Sequence, residues 1–445
     1  MITCFELAKM DYEKLLSKYQ YADIRIEKST RSNISIKDDE VKCIIGSSDG
    51  IGVRVLDNGS WGIASGDNES LDELLKKAHK LAKLSTGRIS CGTPIVEKKS
   101  IKEKIIQVNH EEQIGTLVDA AKAMKGEKIA SKTITCIDAV ITAEFYNSLG
   151  TEIVQDMAYT YTSCACVAKS GEIIQRGSAR TCSREGFKKI ENKIYETAEN
   201  AKQKALELLN SITPPQGRFT AILDPEMTGV LCHEAIGHAC EGDAIVDNES
   251  ILVGKIGKNI GNELVNIVDD PTAKDFGHYY YDDEGIRGKQ TRLIENGILK
   301  EYMNSMETAY ALGIEPNGHA RSQAYDSVPV VRMSNTYFRP GKASVDDVFD
   351  VKHGIYLKGM KGGSVNIFSG GFMFKAERAY EIKNGEKGNI IRDVTITGSI
   401  LETLNDVEIV GKDFGTSPGI CGKAGQEAPV SDGGPHIRVN NVTIG

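Results

Sequence analysis

Apolar and polar residues alternate along much of the first 213 positions, and a period of two residues predicts β-strands. The alternating segments are 22–28, 34–37, 40–45, 51–56, 132–146, 152–169 and 172–181. Helical periodicity or composition replaces the alternation in four segments and predicts helices there. These segments are 5–19, 71–84, 111–125 and 189–209. The charge-rich segment 98–104 is predicted to be a solvated connector.

A second pattern begins after the Pro-Pro-Gln-Gly sequence at 214–217, which is the best linker candidate in the chain. A short strand leads into Asp224 and Pro225, a helix N-cap residue followed by a first-turn proline. Beyond that helix the sequence becomes β-rich and is punctuated by glycine turns. The sequence pattern therefore predicts an α+β fold. Its predicted domains are an N-terminal α/β domain, residues 1–213, and a β-rich, barrel-like C-terminal domain that carries the helix, residues 218–445.

That helix contains the most distinctive chemistry of the sequence, the run Cys232-His233-Glu234-Ala235-Ile236-Gly237-His238. Two imidazoles with a carboxylate beside the first are the groups that a metallopeptidase uses to hold a metal and activate water. In the common His-Glu-x-x-His motif the histidines are four apart and share one helix face. Here they are five apart, so an ideal α-helix would separate them by about 140°. Something must widen or end the helix, and Gly237 is the predicted device, through a π-bulge or an unwound C-terminus.

A zinc peptidase needs three protein ligands and one open position. His233 and His238 supply two of them, and the residues alone leave the third open. Its candidates are Cys421, Cys240, Glu241, Asp243, His278, Asp282, Asp283 and Glu284. The alternative is that each histidine is an ordinary hydrogen-bonded structural residue.

Glu234 follows His233 directly, so it would stand beside a bound metal rather than on it. This is the place for a general base that takes a proton from water. The acidic run Asp282-Asp283-Glu284 has two interpretations, a partner that orients a ligating imidazole or a solvated acidic turn. Four further histidines lack motif-like neighbours and are predicted to be structural: His278, His319, His353 and His436.

Composition narrows the functional classes. The chain has 445 residues and a formal net charge of −8, which argues against non-specific nucleic-acid binding. No apolar run is long enough to span a bilayer, and the first residues lack the pattern of a signal peptide. Ten cysteines without a compact framework are typical of reduced thiols in a cytoplasm. A cytoplasmic location without membrane association is therefore expected.

Four motifs, in order, resemble the TldD/PmbA family, and specifically its TldD branch. The first is the His-Glu-x-x-x-His sequence at 233–238 with its Glu-Gly-Asp extension. The other three are Asp282-Asp283-Glu284-Gly285, Leu293-Ile294-Glu295-Asn296-Gly297-Ile298-Leu299-Lys300 and Pro418-Gly419-Ile420-Cys421-Gly422-Lys423-Ala424-Gly425-Gln426. The similarity covers most of the chain and is strongest from about Phe219 to the C-terminus.

The resemblance implies a zinc-dependent peptidase with one Zn²⁺ ion per catalytic subunit. It implies that Cys421 is the third metal ligand beside His233 and His238, and that Glu234 is the general base toward a metal-activated water. Expected substrates are peptides or unfolded segments. Expected assemblies are a homodimer or a heterodimer with a PmbA-like subunit. Two other functions stay open: a cysteine hydrolase that uses Cys421 as nucleophile, and a non-catalytic partner subunit, against which the intact motif argues.

Overall fold

The computed structural model describes residues 11–87, 89–91, 96–103, 105–106 and 108–445. Residues 5–10 of the first predicted helix lie outside these ranges. The N-terminal strands are β1 Tyr21–Lys37, β2 Glu40–Asp57, β3 Ser60–Gly66, β4 Lys98–Ile101, β5 Ile129–Asn147, β6 Glu152–Ser170 and β7 Ile173–Ser183. The helices are α1 Tyr12–Leu16, α2 Leu71–Ala82, α3 His110–Ala123 and α4 Glu191–Leu208, with a 3₁₀ turn at Phe187–Lys189.

The N-terminal strands form one sheet in the order β3-β2-β1-β5-β6-β4, with β7 also paired to β6. The separate alternating segments predicted before position 57 merge into two long strands, because β1 and β2 pair without interruption from Tyr21 and Leu56 to Lys37 and Glu40. Helix α2 packs on β2 and β3, and α4 packs on β6 and β7. Each helix buries its apolar face against the sheet, so this half contains two hydrophobic clusters.

The solvated connector predicted at 98–104 begins with a short strand. Residues Lys98–Ile101 form β4, which pairs in parallel with the start of β6. The side chains of Lys98, Lys99 and Ser100 remain exposed. An edge strand needs only backbone hydrogen bonds on one side, so a charged, exposed sequence can still form one.

The C-terminal strands begin with β8 Gly217–Leu223 and β9 Ile267–Asp269. They continue with β10 Thr291–Glu295, β11 Ile298–Leu299, β12 Ala320–Arg321, β13 Val330–Val331, β14 Asn335–Phe338, β15 His353–Asn366, β16 Gly371–Lys383, β17 Glu386–Ile391, β18 Thr395–Ser399, β19 Val407–Val410, β20 Gly415–Lys423, β21 Gln426–Gly434 and β22 Ile437–Ile444. The helices are α5 Pro225–Val230, α6 Gly242–Val246, α7 Met306–Leu312, α8 Val345–Phe349 and α9 Ile400–Asn405.

Five of these strands close into a barrel, because β15 pairs with both β8 and β16 in the cycle β15-β8-β22-β18-β16. A second sheet has the order β11-β10-β9-β14-β21-β20. The predicted α+β fold with a barrel-like C-terminal part is thereby confirmed. The division into residues 1–213 and 218–445 stays a prediction. Within the described ranges, no helix is long and apolar enough to cross a membrane.

Helix α5 connects the barrel to the second sheet. Asp224 caps it, accepting a hydrogen bond from the Met227 N–H at 2.9 Å, and also accepts from the Gly359 N–H on β15. A Cβ atom on Gly229 would lie 2.4 Å from the backbone nitrogen of Gly433 on β21. The glycine therefore permits the close packing of the helix on the β20–β21 hairpin. This contact fixes the end of α5 beside that hairpin.

Candidate metal centre

The histidine motif lies in a π-helix. Residues Leu231–Gly237 continue α5 as a π-helix, and a 3₁₀ turn, His238–Cys240, follows. The His238 N–H donates to the His233 carbonyl, five residues earlier. Such a bond places residue i+5 over residue i, whereas an α-helix does this for i+4. The two imidazoles consequently lie on one face, with ring centroids 5.0 Å apart and planes at 88°. Of the two predicted alternatives, the widened helix is the one that forms.

Gly237 has a reason for being glycine that the sequence did not indicate. Its φ of −55° and ψ of −61° are helical, so it supplies no unusual backbone conformation. A Cβ atom at this position would lie 1.9 Å from the sulfur of Met333. The requirement is therefore close packing against Met333 and not backbone freedom.

Cys421 approaches the two histidines from β20, in the hairpin against which α5 packs. Its Sγ lies 3.8 Å from His238 Nε2. Within the part of the chain that the structure describes, the donor atoms of His233, His238 and Cys421 form the one group able to hold a metal ion, all within 4.8 Å of one another. Cys421 lies in a regular strand, opposite Ala428. Two imidazole nitrogens and one thiolate are a donor set that zinc accepts.

The other candidates for third ligand have different partners. Glu241 and Asp243 both contact Lys423. Cys240 is buried in the core, and burial raises the pKa of its thiol. His278 hydrogen-bonds to the Pro271 carbonyl at 2.6 Å, away from this group.

The Nδ1 atom of each clustered imidazole is held by a carboxylate. His233 Nδ1 lies 2.7 Å from Asp432 Oδ1, and His238 Nδ1 lies 2.9 Å from Glu241 Oε2. A carboxylate on Nδ1 fixes the ring orientation and leaves Nε2 for a metal. Asp432 is a site residue that sequence reasoning missed, because it comes from β21, nearly 200 positions from its histidine. Glu241 could have been found, since it is three residues from His238.

The electrostatics of the group favour an ionised thiol. Burial raises the pKa of Cys421, but hydrogen bonds and positive charge from His233 and His238 outweigh burial and lower it to about 5. Burial lowers the pKa of His238, but Glu241 and the thiolate outweigh this and raise it to about 9. The cluster thus contains a stabilised sulfur anion. A divalent cation would take the place of the imidazole protons as its counter-charge.

Lys423 completes the arrangement behind His238. Its Nζ lies 3.0 Å from Glu241 Oε2, 2.6 Å from Asp243 Oδ2 and 2.9 Å from the Val331 carbonyl. Burial raises the pKa of Glu241, but the charges of His238 and Lys423 outweigh burial, so its pKa lies below its ordinary value. Glu241 therefore stays ionised while it orients the imidazole.

Glu234 projects from the π-helix directly after His233 and is partly buried. Its carboxylate takes part in none of the hydrogen bonds or ion pairs found among the described residues. A carboxylate without a partner beside three clustered donors is free to accept a proton.

The acidic run at 282–284 matches neither of its two predicted interpretations. Asp282 and Glu284 are buried, so the run is not a solvated turn. Neither residue contacts His233 or His238, whose partners are the acids named above. Glu284 Oε1 instead lies 3.1 Å from Arg54 Nη1, and Nη2 of the same guanidinium pairs with Asp23.

Residues 216–445 match the "PmbA/TldA metallopeptidase C-terminal domain", residues 22–82 match domain 1 and residues 103–209 match the central domain of the same family. The chain belongs to the PmbA/TldD metallopeptidase family. This confirms the resemblance found in the four sequence motifs.

The relatives of this PmbA/TldD protein include named proteases. A "Metalloprotease" of Methanothermobacter thermautotrophicus is 41% identical over 98% of this chain and 97% of its own length. A "Zinc metalloprotease TldD homolog" of Saccharolobus solfataricus is 34% identical over 96% of both chains. The crystal structure of TldE from Thermococcus kodakarensis superposes with a TM-score of 0.80 at 21% identity, over 97% of this chain and 99% of that one. This last likeness concerns the fold alone.

Proposed function

We propose that this PmbA/TldD-family metallopeptidase is a zinc-dependent peptidase of the TldD type that hydrolyses peptide bonds in peptides or unfolded segments. The observation that carries the proposal is the convergence of two imidazole nitrogens and one thiol sulfur within 4.8 Å. The zinc named for the Saccharolobus relative supports the same metal. When bound, zinc supplies a Lewis acid that makes a water molecule more acidic and polarises a peptide carbonyl.

The protein residues have distinct roles in this proposal. His233, His238 and Cys421 hold the ion, and Asp432 and Glu241 keep the two rings oriented with Nε2 toward it. Glu234 accepts the proton of the attacking water and returns it to the leaving amine. Its free carboxylate and its position one residue after His233 support that role.

The test is chelator-free purification followed by elemental analysis and a peptide-cleavage assay. The expected result is about one zinc per catalytic chain, loss of cleavage when a strong chelator removes it, and recovery when Zn²⁺ is restored. Chelator-resistant cleavage by a protein without transition metal would contradict the proposal.

A cysteine hydrolase is the second candidate, because the lowered pKa of Cys421 and its 3.8 Å distance from His238 Nε2 are also typical of a thiolate–imidazole pair. Iodoacetamide distinguishes the two candidates. A zinc ligand should be protected by Zn²⁺ and alkylated after chelation, and the chelated enzyme should be inactive. A nucleophile should be most reactive in the active, metal-free protein.

We further propose a homodimer or a heterodimer with a PmbA-like subunit. Ile44 and Ile45, near the end of the β1–β2 hairpin, are 70% and 52% exposed, and an interface at this hairpin would remove them from water. Light scattering of the purified chain, alone and with a PmbA-like subunit, tests the assembly. A monomer under both conditions would contradict it.

A further inference from the structure

A cavity of about 480 Å³ lies between the N-terminal sheet and the C-terminal domain. One wall is apolar and comes from β5 and β6, with Ile137, Ile141 and Met157. The opposite wall includes Tyr279 and Ile420 of the C-terminal domain. A mostly apolar concavity of this volume with a few polar groups is typical of a small-ligand or peptide subsite.

The cavity adjoins the candidate metal centre. Ile420 in its wall directly precedes Cys421 on β20. Ala428, also in the wall, lies opposite Cys421 in the hairpin register. Arg321 in the same wall donates to the Met333 carbonyl at 2.7 Å. Met333 in turn packs on Gly237 of the π-helix. The cavity therefore lies beside the β20–β21 hairpin that carries Cys421.

Two guanidinium groups face the cavity without a carboxylate partner. Neither Arg184 nor Arg321 belongs to any ion pair found among the described residues, and the Arg184 Nε atom is enclosed without a hydrogen-bond acceptor. Arg321 lies over the Tyr279 ring, 5.0 Å from its centroid. The third arginine of the wall differs, because Arg31 pairs with Glu27 at 3.2 Å. Arg321 is buried and Arg184 is partly buried. Enclosing two cations without a directly paired carboxylate is costly, so the pair at 184 and 321 would favour an anion there.

The acids in the wall do not neutralise this pair. Asp282 accepts from the backbone N–H groups of Glu284, Ile286 and Ala320. Asp283 accepts from the Ser322 N–H at 2.7 Å. Glu427 lies at the wall and is exposed. The carboxylates of Asp282 and Asp283 are thus satisfied by backbone N–H groups, and that of Glu27 by Arg31.

We propose that this cavity binds a carboxylate of the peptide substrate, with Arg184 and Arg321 as the anion-binding pair and the apolar wall around the side chain of the same residue. Guanidinium groups suit carboxylates because they present planar, paired donors. Burial and the charge of Arg321 lower the pKa of Arg184 to about 10, which still leaves it charged at neutral pH. The proposal rests on the proposed function and specifies its substrates.

The carboxylate can come from a peptide C-terminus or from an Asp or Glu side chain, and the experiment separates these sources. Binding of unstructured peptides to the full zinc-loaded chain is measured by calorimetry in a Glu234→Gln background, so that binding is observed without turnover. One peptide pair differs only in a C-terminal acid or amide, and a second pair only in an internal Glu or Gln. In one of the two pairs, the carboxylate peptide should bind about tenfold more tightly than its uncharged counterpart. This is the affinity difference that a charge-assisted hydrogen bond provides.

Arg184→Gln should abolish this preference, and Arg184→Lys should retain part of it. Arg176→Gln is the matched control, because Arg176 is exposed on the neighbouring strand β7, and it should leave the preference unchanged. Zinc content and thermal midpoint should stay constant in all variants. Equal binding of both members in both pairs, or a preference that survives Arg184→Gln, would overturn the proposal. A carboxylate preference in a zinc-loaded wild-type chain that cleaves no peptide would instead contradict the proposed peptidase function.

Discussion

At the scale of single residues, the candidate centre combines three donor side chains with two carboxylates that orient the two imidazoles. Asp432 and Glu241 each hold one Nδ1 atom, at 2.7 and 2.9 Å. Each ring is therefore positioned before a metal arrives, which lowers the cost of ordering the ligands on binding. Cys421 differs from an ordinary buried cysteine, because the pKa of its thiol is lowered to about 5.

Cys421→Ser should lose zinc, because a neutral hydroxyl is a poor substitute for a thiolate. Cys240→Ser is the matched control, since Cys240 is buried nearby but lies outside the donor group. Elemental analysis after chelator-free purification measures the difference. Full zinc occupancy in Cys421→Ser would remove this residue from the ligand set.

Glu234→Gln should keep its zinc and lose turnover by about 10²–10⁴-fold, the usual contribution of a general acid–base group. An amide has nearly the shape of the carboxylate but cannot accept the proton of water. Steady-state cleavage of an unstructured peptide, together with zinc analysis of the same sample, measures both properties. Activity near that of the wild type would show that another group is the base.

At the scale of elements, the π-helix turns an unfavourable spacing into a shared face. Its stability depends on packing, because Met333 occupies the space beside Gly237 that a side chain would need. The hydrogen bonds of the π-helix and the packing of Gly237 on Met333 together determine where the His238 side chain points.

Gly237→Ala should destabilise the fold by about 1–3 kcal/mol, the usual cost of overpacking a core, and should weaken zinc binding by displacing His238. Gly115→Ala is the control, because a Cβ at Gly115 in α3 meets no atom within 4 Å and alanine favours helices by roughly 0.5–1 kcal/mol. Urea unfolding and zinc titration measure the two effects. Adding Met333→Ala should recover part of the zinc affinity, and a double-mutant cycle would show this coupling. Strict additivity in the cycle would contradict the packing argument.

At the scale of the whole molecule, a buried ion network joins the N-terminal sheet to the C-terminal domain. Arg54 on β2 contacts Asp23 Oδ2 at 2.7 Å and Glu284 Oε1 at 3.1 Å. Glu284 also accepts from the Met306 N–H at the start of α7. The network therefore fixes the two halves that enclose the cavity.

Arg54→Met should lower the free energy of unfolding by about 3–5 kcal/mol at neutral pH, since it leaves two buried carboxylates without their cation. Burial already raises the pKa of Glu284 above its ordinary value, although Arg54 opposes this rise. A carboxyl with a raised folded-state pKa keeps its proton where the unfolded chain has lost it, so stability falls as pH rises through that window. Loss of the Arg54 charge raises this pKa further. The free energy of unfolding that Arg54→Met loses should therefore grow from acidic to neutral pH. Urea titrations at several pH values measure it, and a deficit independent of pH would contradict the assignment.

The burial of the candidate metal centre predicts which proteins the peptidase can cleave. His233 and Cys421 are only 5% and 7% exposed, so we expect an extended backbone to reach them more readily than the backbone of a folded protein. Unstructured casein-like chains should be cut at many sequences, whereas a tightly folded protein should be spared. Gel electrophoresis of both substrates, with the partner subunit present if one exists, tests this. Rapid cuts within the rigid core of the folded protein would overturn it.

The sequence by itself determined the local features of this protein. Alternation predicted the N-terminal strands, and glycine turns predicted the β-rich C-terminal part. Asp224 and Pro225 predicted the start of the helix with the histidine motif, and the spacing of His233 and His238 predicted a widened or interrupted helix. These features depend on interactions between neighbours in the chain, which a sequence displays directly.

Only the tertiary structure decided which distant groups meet. Asp432 reaches His233, Arg54 reaches Glu284, and Met333 explains Gly237. Each of these contacts joins residues far apart in sequence, and no local period or motif records such a pairing. Family resemblance indicated Cys421, but residue spacing alone left the third ligand open. The physical reason is that closure of the barrel and packing of α5 on the β20–β21 hairpin, which are properties of the whole fold, set the distance between thiol and imidazole.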